Sequence, residues 1–336
     1  MNQPPAAEAA ETAAAHNAMT APVAPLFADT TRLYLLIVLA AALGAYLYMM
    51  REQSIFSCTA KGYSSDEYLA YCHADHYGDF DHGAFWFGLE PGIRDSARDA
   101  SVLFLGSSRM QFGFSSDSTQ KWFAERSTPY YLMGFAYWEN YLFEGELVRQ
   151  IKPRARVYVI NLDTFFENTE TVPAKIVMHD EDALSRYQFK QTLQHVHARV
   201  CAAVPFACGH DQAFFRSRST GAYVLVGGRI VNFPTTDNQI VDAAIVRDYT
   251  ARAKTFIASL PVESRCVLLT MVPTVDTPIA TARAIAQSLG TTLIAPQVDG
   301  LTTFDKSHMD RPSAERWSKA FFEAAGPQIT QCLAGS

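Results

Sequence analysis

Residues 102–109 read VLFLGSSR, a short apolar run that ends at Gly106 and passes directly into two serines. Two similar runs follow along the chain, YYLM at 130–133 and VYVI at 157–160. Short apolar runs that alternate with helical stretches are typical of a parallel sheet buried on both faces. The sequence therefore predicts an α/β domain. Its chemistry is expected in the loops after the strands, because open sheets bind ligands at the carboxyl ends of their strands.

The alternation continues to the end of the chain and predicts one domain over 99–330. Further strands are expected at 266–272 and 292–295, and helices at 115–126, 137–151, 181–200, 243–260, 278–289 and 312–325. The stretch at 164–264 is too long for a simple crossover. We interpret it as the helix near 243–260 plus an insertion at about 165–235. That insertion is either a structural excursion or a lid over the site.

The first fifty residues indicate a membrane anchor. Residues 1–31 are rich in Ala, Pro and Thr and contain no Lys or Arg, which is typical of a disordered tail. Residues 33–50 are uncharged and nearly all apolar, and as a helix they would extend about 27 Å. We predict a transmembrane helix there. A cleaved signal peptide is the alternative, although the acidic leader is unlike the basic start of such peptides.

The six cysteines all follow this apolar stretch, and their even number favours disulfides in an oxidising compartment. Their spacings favour the pairs Cys58–Cys72, Cys201–Cys208 and Cys266–Cys332, although six cysteines allow about 15 pairings. We therefore expect a type II protein of a bacterial inner membrane, with its large domain in the periplasm.

Charge and residue spacing exclude two classes of function. The net charge is −6, from 28 Lys and Arg against 34 Asp and Glu, and no basic cluster marks a nucleic-acid surface. Residues 52–98 are expected to be a polar connector into the domain. They include six His and Asp residues, of the kinds that bind metal ions, and we call these the metal-type residues: His73, Asp75, His76, Asp79, Asp81 and His82. Their spacing matches no fixed pattern of metal ligands. We predict neither a metal site nor a cofactor there.

Two short motifs together suggest a serine nucleophile. Ser108 follows the first strand at a turn into a helix, a place where a serine is also an ordinary helix cap. Near the end of the chain, Asp305 and His308 stand three residues apart, just before a helix that opens with Pro312. A carboxylate in that position can hold the Nδ1–H of the histidine, which leaves Nε2 free to take a proton from a serine.

With these motifs the chain resembles the SGNH (GDSL-type) hydrolase superfamily, in its membrane-anchored periplasmic branch. Gly106-Ser107-Ser108 corresponds to the Gly-Asp-Ser block of that family, and Asp305-Lys306-Ser307-His308 corresponds to its Asp-x-x-His block. The resemblance implies a flavodoxin-like three-layer α/β fold with a central parallel sheet. It also implies Ser108 as nucleophile and the backbone N–H of Gly134 as an oxyanion donor.

The third block departs from the family pattern. The family has Gly-x-Asn-Asp after its third strand, whereas this chain has Asn161-Leu162-Asp163. Asp163 takes the place of the oxyanion Asn, where an ionised carboxylate would repel the intermediate, and Asn161 could substitute only through a shift. Arg109, next to the nucleophile, either binds a substrate anion or, in the reading we favour, braces the loop.

The sequence is compatible with three functions. The resemblance favours an esterase or O-acyltransferase acting on acyl, in the first place acetyl, esters of an envelope or secreted polysaccharide. The alternatives are a general lipase or esterase with an unrelated substrate and a non-catalytic polysaccharide-binding or scaffold component of an export complex. A transferase would need a partner that carries the acyl group across the membrane, such as a multi-span acyltransferase or polysaccharide synthesis and export proteins. The aromatic residues after the second and third strands either stack on sugar rings or pack in the core: Tyr137, Trp138, Phe165 and Phe166.

Overall fold

A computed structural model of the 336-residue chain describes residues 26–49, 54–73, 77–227 and 231–335. Residues 1–25 of the predicted tail (1–31) and two of the metal-type residues, Asp75 and His76, lie outside the described residues, whereas residues 26–31 of that tail are helical. The chain divides into two compact units, Met1–Tyr48 and Met49–Ser336.

The described part of the first unit is a single helix, α1 (Leu26–Met49), whose last residue is counted in the second unit. Its window Thr30–Leu47 has a mean hydropathy of 1.7, and none of that window is buried. The helix is therefore long and apolar enough to cross a bilayer, as the sequence predicts, although a signal sequence meets the same criterion. The helix begins seven residues before the predicted span, so Arg32 lies inside it.

The second unit contains eleven strands and ten α-helices within the described residues. The strands are β1 (Glu67–Cys72), β2 (Gly78–Asp79), β3 (Val102–Ser107), β4 (Tyr130–Phe135), β5 (Val157–Asn161), β6 (Ala213–Ser217), β7 (Tyr223–Val226), β8 (Phe233–Pro234), β9 (Val267–Thr270), β10 (Leu293–Ile294) and β11 (Thr302–Thr303). The helices are α2 (Asp81–Phe87), α3 (Ile93–Asp99), α4 (Ser108–Phe114), α5 (Asp117–Ala124), α6 (Tyr141–Ile151), α7 (Val172–His179), α8 (Ala183–Ala203), α9 (Ala243–Ser259), α10 (Ile279–Ser288) and α11 (Arg311–Ala334).

Five strands form a parallel sheet in the order β10-β9-β5-β3-β4, which confirms the predicted α/β class. Every residue of β3 is buried. Val102 and Phe104 pack into one hydrophobic cluster, and Leu103 and Leu105 pack into another. Because both faces of the strand are covered, its sequence is a continuous apolar run rather than an alternation.

Helix boundaries near the site differ from the prediction because polar side chains cap the helices. The predicted helix 115–126 corresponds to the shorter α5, since the Ser116 hydroxyl accepts from the backbone of Thr119 and starts the helix there. The predicted helix 137–151 begins only at Tyr141, because Asn140 caps it and Tyr137 and Trp138 adopt positive φ.

Part of the predicted connector forms a second sheet with the insertion. Strand β1 pairs antiparallel with β6, and the complete order is β2-β1-β6-β7. The three disulfides are Cys58–Cys72, Cys201–Cys208 and Cys266–Cys332, which confirms the pairing favoured by the spacing. All six cysteines lie among the described residues and none is free.

Candidate active site

Three side chains from two segments that are far apart in the sequence meet at the carboxyl edge of the parallel sheet. The Ser108 hydroxyl lies 2.7 Å from Nε2 of His308. Nδ1 of His308 lies 2.6 Å from Oδ2 of Asp305. This is the order of contacts that a nucleophile, a general base and an orienting carboxylate require. The structure therefore brings together the three residues that the sequence singled out, across a separation of 200 residues.

The sharp turn between β3 and α4 places Ser108 in this position. Gly106 has φ +150°, and an added Cβ would come within 3.0 Å of Met110 and 3.1 Å of Asn161. The next residue, Ser107, caps α4 by accepting a hydrogen bond from the backbone of Arg109. As a result, Ser108 is the first residue of the helix and its hydroxyl stands at the end of the strand.

Asp305 is held in its charged form. Partial burial works against ionisation, but the hydrogen bonds from the His308 ring and from two backbone N–H groups lower the pKa of this carboxyl. Those backbone donors are Ser307, at 3.0 Å, and His308, at 2.7 Å. The carboxylate therefore fixes both the backbone and the ring of the histidine, whose own side chain is only 17% exposed.

The His308 ring is also clamped by two aromatic side chains. Its centroid lies 4.9 Å from that of Phe112 and 5.5 Å from that of Phe304, the latter in a stacked arrangement. Arg109 adds a third restraint, because its Nε donates to the Ser307 hydroxyl at 2.9 Å. These contacts hold the serine turn and the histidine loop against each other.

Asp163 lies beside the nucleophile rather than in solvent. The Ser107 hydroxyl donates to its Oδ2 at 2.6 Å, and Nη1 of Arg109 lies 3.9 Å away. Its side chain is 1% exposed. Burial raises the pKa of this carboxyl, and the nearby Arg109 charge and the Ser107 hydrogen bond offset the effect only in part. Its Oδ1 has no hydrogen-bond partner among the residues that the structure describes.

Asn161 and Gly134 are held inside the sheet. The Asn161 side chain accepts from the backbone of Val272 at 2.9 Å, which ties β5 to the segment after β9. Gly134 lies opposite Gly106 in the paired strands. An added Cβ at Gly134 would lie 2.6 Å from the Gly106 carbonyl oxygen, so only glycine fits there. Asp163 and Asn161 are the two residues that the sequence offered in place of the oxyanion Asn. Asp163 contacts the serine turn through Ser107, whereas the amide oxygen of Asn161 is used within the sheet.

Sequence reasoning missed one buried acid that supports the turn. The Glu144 side chain accepts from the backbone N–H of Gly106 at 3.0 Å. Its pKa is raised well above the usual value, first by burial and then by the charge of Glu139. The sequence carried one signal for this acid, because Glu144 stands among residues that form the apolar face of a helix, such as Phe143 and Leu147.

The metal-type residues of 52–98 that the structure describes are mostly used in buried ion pairs. His82 lies between Asp79, at 2.9 Å, and Glu139, at 2.8 Å. Burial alone would lower the pKa of His82, but the two carboxylates raise it to about 10. Asp81 pairs with Arg216 at 2.5 Å. A protonated imidazole between two acids offers no lone pair to a metal ion.

One other group has ligand-type atoms close together in the described part of the chain. His197, Cys201 and Cys208 lie within 4.8 Å of one another. The two cysteines form a disulfide, so neither offers a thiolate to a metal ion.

Comparison with known proteins gave no match to a family model, to a curated protein or to a solved structure. What the site does must therefore be inferred from its own geometry.

Proposed function

We propose that the chain is a membrane-anchored periplasmic serine esterase or O-acyltransferase of the SGNH type. It acts on acyl, in the first place acetyl, esters of an envelope or secreted polysaccharide. The contacts from Ser108 to His308 and from His308 to Asp305, at 2.7 and 2.6 Å, carry the proposal. The parallel sheet supports a flavodoxin-like three-layer fold. The apolar helix α1 and the three disulfides support an anchor followed by an oxidising compartment.

In the first half-reaction, Ser108 Oγ attacks the carbonyl carbon of the ester while Nε2 of His308 takes the hydroxyl proton. Asp305 accepts the Nδ1–H and stabilises the imidazolium that forms. Collapse of the tetrahedral intermediate breaks the ester bond, and the imidazolium returns its proton to the departing alkoxide. The acyl-serine is then attacked by water in an esterase, or by a sugar hydroxyl in a transferase, with the same histidine as base.

Three donors are proposed for the oxyanion, each worth about 3 kcal/mol in the transition state. Two are the backbone N–H groups of Ser108 and Gly134. The third is Asp163 in its neutral form, as a carboxylic acid donating from Oδ1. The burial of this carboxyl and its raised pKa support a neutral acid, and a neutral acid does not repel the oxyanion.

The test uses the full chain purified in detergent and a fluorophosphonate probe, which labels only an activated serine. Wild-type protein is expected to be labelled and to release acetate from p-nitrophenyl acetate. Ser108→Ala should lose both reactions, whereas Ser288→Ala, at an exposed helix position, should keep them. Unlabelled wild-type protein would favour the non-catalytic scaffold function, and a fully active Ser108→Ala variant would refute the nucleophile. Acetate transfer to an added oligosaccharide separates transferase from esterase.

A further inference from the structure

The loop between β4 and α6 presents two aromatic side chains to solvent. Tyr137 and Trp138 have backbone φ values of +62° and +56°, which residues other than glycine rarely adopt. Their side chains are 46% and 59% exposed. The flanking residues are fixed, since Phe135 is buried and Glu139 is buried against His82. Strained backbone of this kind persists where the surroundings impose it, and it is concentrated at ligand-binding positions.

This loop lies over the end of the strand that leads to Ser108. The sheet order places β3 between β4 and β5. The Tyr141 N–H donates to the Phe165 carbonyl at 2.9 Å, and the Asn140 amide donates to the Thr169 carbonyl at 2.8 Å. The chain leaving β4 therefore reaches the segment that follows β5, across the carboxyl end of β3. Tyr137 and Trp138 thus stand at the rim of the candidate active site.

From Tyr137 a continuous line of rings leads to the histidine of the triad. Ring centroids of Tyr137 and Tyr71 are 6.3 Å apart, and Tyr71 stacks on Phe214 at 5.4 Å. Phe214 lies 5.3 Å from Phe112, which lies 4.9 Å from His308. We call Tyr137, Tyr71, Phe214 and Phe112 the aromatic strip. Tyr71 and Phe214 are half-buried, so the middle of the strip faces an accessible surface.

Beyond Phe112 the strip opens into a cavity of about 800 Å³, a size within the usual range for ligand sites. Its aromatic lining residues are Phe112, Tyr130, Tyr223 and Phe304. Hydroxyl, carboxyl and guanidinium groups outnumber aliphatic side chains in the rest of the lining, and they include Ser115, Ser219, Thr220, Asp117, Arg311 and Arg316.

We propose that Trp138, the aromatic strip and this cavity bind a carbohydrate chain and hold it beside Ser108. Sugar rings present apolar C–H faces that stack on aromatic rings, and a rim of hydroxyls that hydrogen-bond to side chains like those in the cavity. A site for a long acyl chain would be lined mainly by aliphatic groups, which this cavity is not. The inference rests on the proposed function and deepens it, because it names the side chains that hold several sugar units of the polysaccharide beside the nucleophile.

The test measures binding without turnover, in full-length Ser108→Ala protein in detergent. Calorimetry is carried out with hexasaccharides of β-1,4-linked glucose, N-acetylglucosamine and mannuronate. At least one is expected to bind. Adding Trp138→Ala should weaken that binding roughly fivefold to tenfold, whereas Trp138→Phe should restore most of it, because one stacked ring contributes about this much. Phe206→Ala, at a side chain 80% exposed on another part of the fold, should leave the affinity unchanged.

Failure of all three hexasaccharides to bind would overturn the proposal, and so would equal affinities of the Trp138→Ala and Phe206→Ala proteins. Tighter binding of p-nitrophenyl decanoate than of any hexasaccharide would overturn it in favour of an acyl-chain site. The proposed function is judged separately, from fluorophosphonate labelling of the wild type. Carbohydrate binding by a chain that the probe does not label would support this inference while refuting catalysis.

Discussion

Replacing Asp163 by Asn and by Ala separates its two possible protonation states. A neutral Asp163 accepts from Ser107 through one oxygen and donates to the oxyanion through the other. Asparagine has the same shape and supplies both interactions, so Asp163→Asn should keep kcat near the wild-type value. Alanine removes the donor, and loss of one oxyanion donor costs about 3 kcal/mol, or roughly 10²-fold in kcat.

The proposed role of Asp163 also predicts the direction in which the reaction rate changes with pH. Burial raises the pKa of the Asp163 carboxyl, so the neutral form persists to higher pH than for an ordinary Asp. As the pH rises through that raised value, a carboxylate forms beside the oxyanion and the rate should fall. Asparagine does not titrate, so Asp163→Asn should lose the alkaline limb.

The same shift predicts a change in stability. With a folded-state pKa above the unfolded value of about 3.9, Asp163 destabilises the fold increasingly as the pH rises above that unfolded value. Asp163→Asn should therefore melt at a higher temperature than the wild type at pH 7, and this difference should disappear near pH 3.

The assay is p-nitrophenyl acetate hydrolysis between pH 5 and 10, with Glu181→Gln as a control that removes an exposed carboxylate. An Asp163→Asn variant as slow as Asp163→Ala would show that the charge itself is needed, and the donor role would be refuted. An Asp163→Asn variant much faster than the wild type would show that Asp163 is ionised and repels the intermediate.

Three further changes test the rest of the structure. Asp305→Asn should lower kcat by roughly 10²–10³ with little change in KM, since it loses the charge that orients His308; an unchanged kcat would remove Asp305 from the triad. Replacing Cys266 and Cys332 by Ala opens a loop of 66 residues and should cost about 4 kcal/mol in chemical denaturation; a loss below about 1 kcal/mol would contradict this. Arg216→Met leaves the fully buried Asp81 carboxylate without a cation, with only tyrosine hydroxyls donating to it, and should destabilise the fold by about 3–5 kcal/mol, measured against Arg149→Met at an exposed pair.

The central sheet could be predicted because its strands are buried on both faces. A run such as 102–105 has no polar position to blur the pattern, and it ends at a glycine that the turn requires. The second sheet could not be predicted, because β1 is stabilised by pairing with β6, which lies far along the chain. Local patterning carries no information on such distant pairing.

The helix expected at 137–151 shows how helical spacing can mislead. Tyr137 and Trp138 fit the spacing of the residues that follow, yet both lie outside the helix at positive φ. The Asn140 cap and the buried Glu139 define the start of α6, and the partner of Glu139 is His82, far away in sequence. The contact that imposes the loop is tertiary, so a local pattern cannot reveal it.

The two departures from the family pattern become a single feature once the fold is known. In the sequence, Ser107 stands in place of an Asp in the first block and Asp163 in place of an Asn in the third, and each alone counts against an active enzyme. In the structure the two side chains are joined by a hydrogen bond of 2.6 Å. The pair therefore contains one carboxyl and one neutral group, as the family's own pair of residue types does, with the carboxyl moved from the serine turn to the loop after β5. A compensated exchange of this kind keeps one carboxyl group and one neutral group beside the nucleophile, so the departures give no ground for preferring a non-catalytic chain.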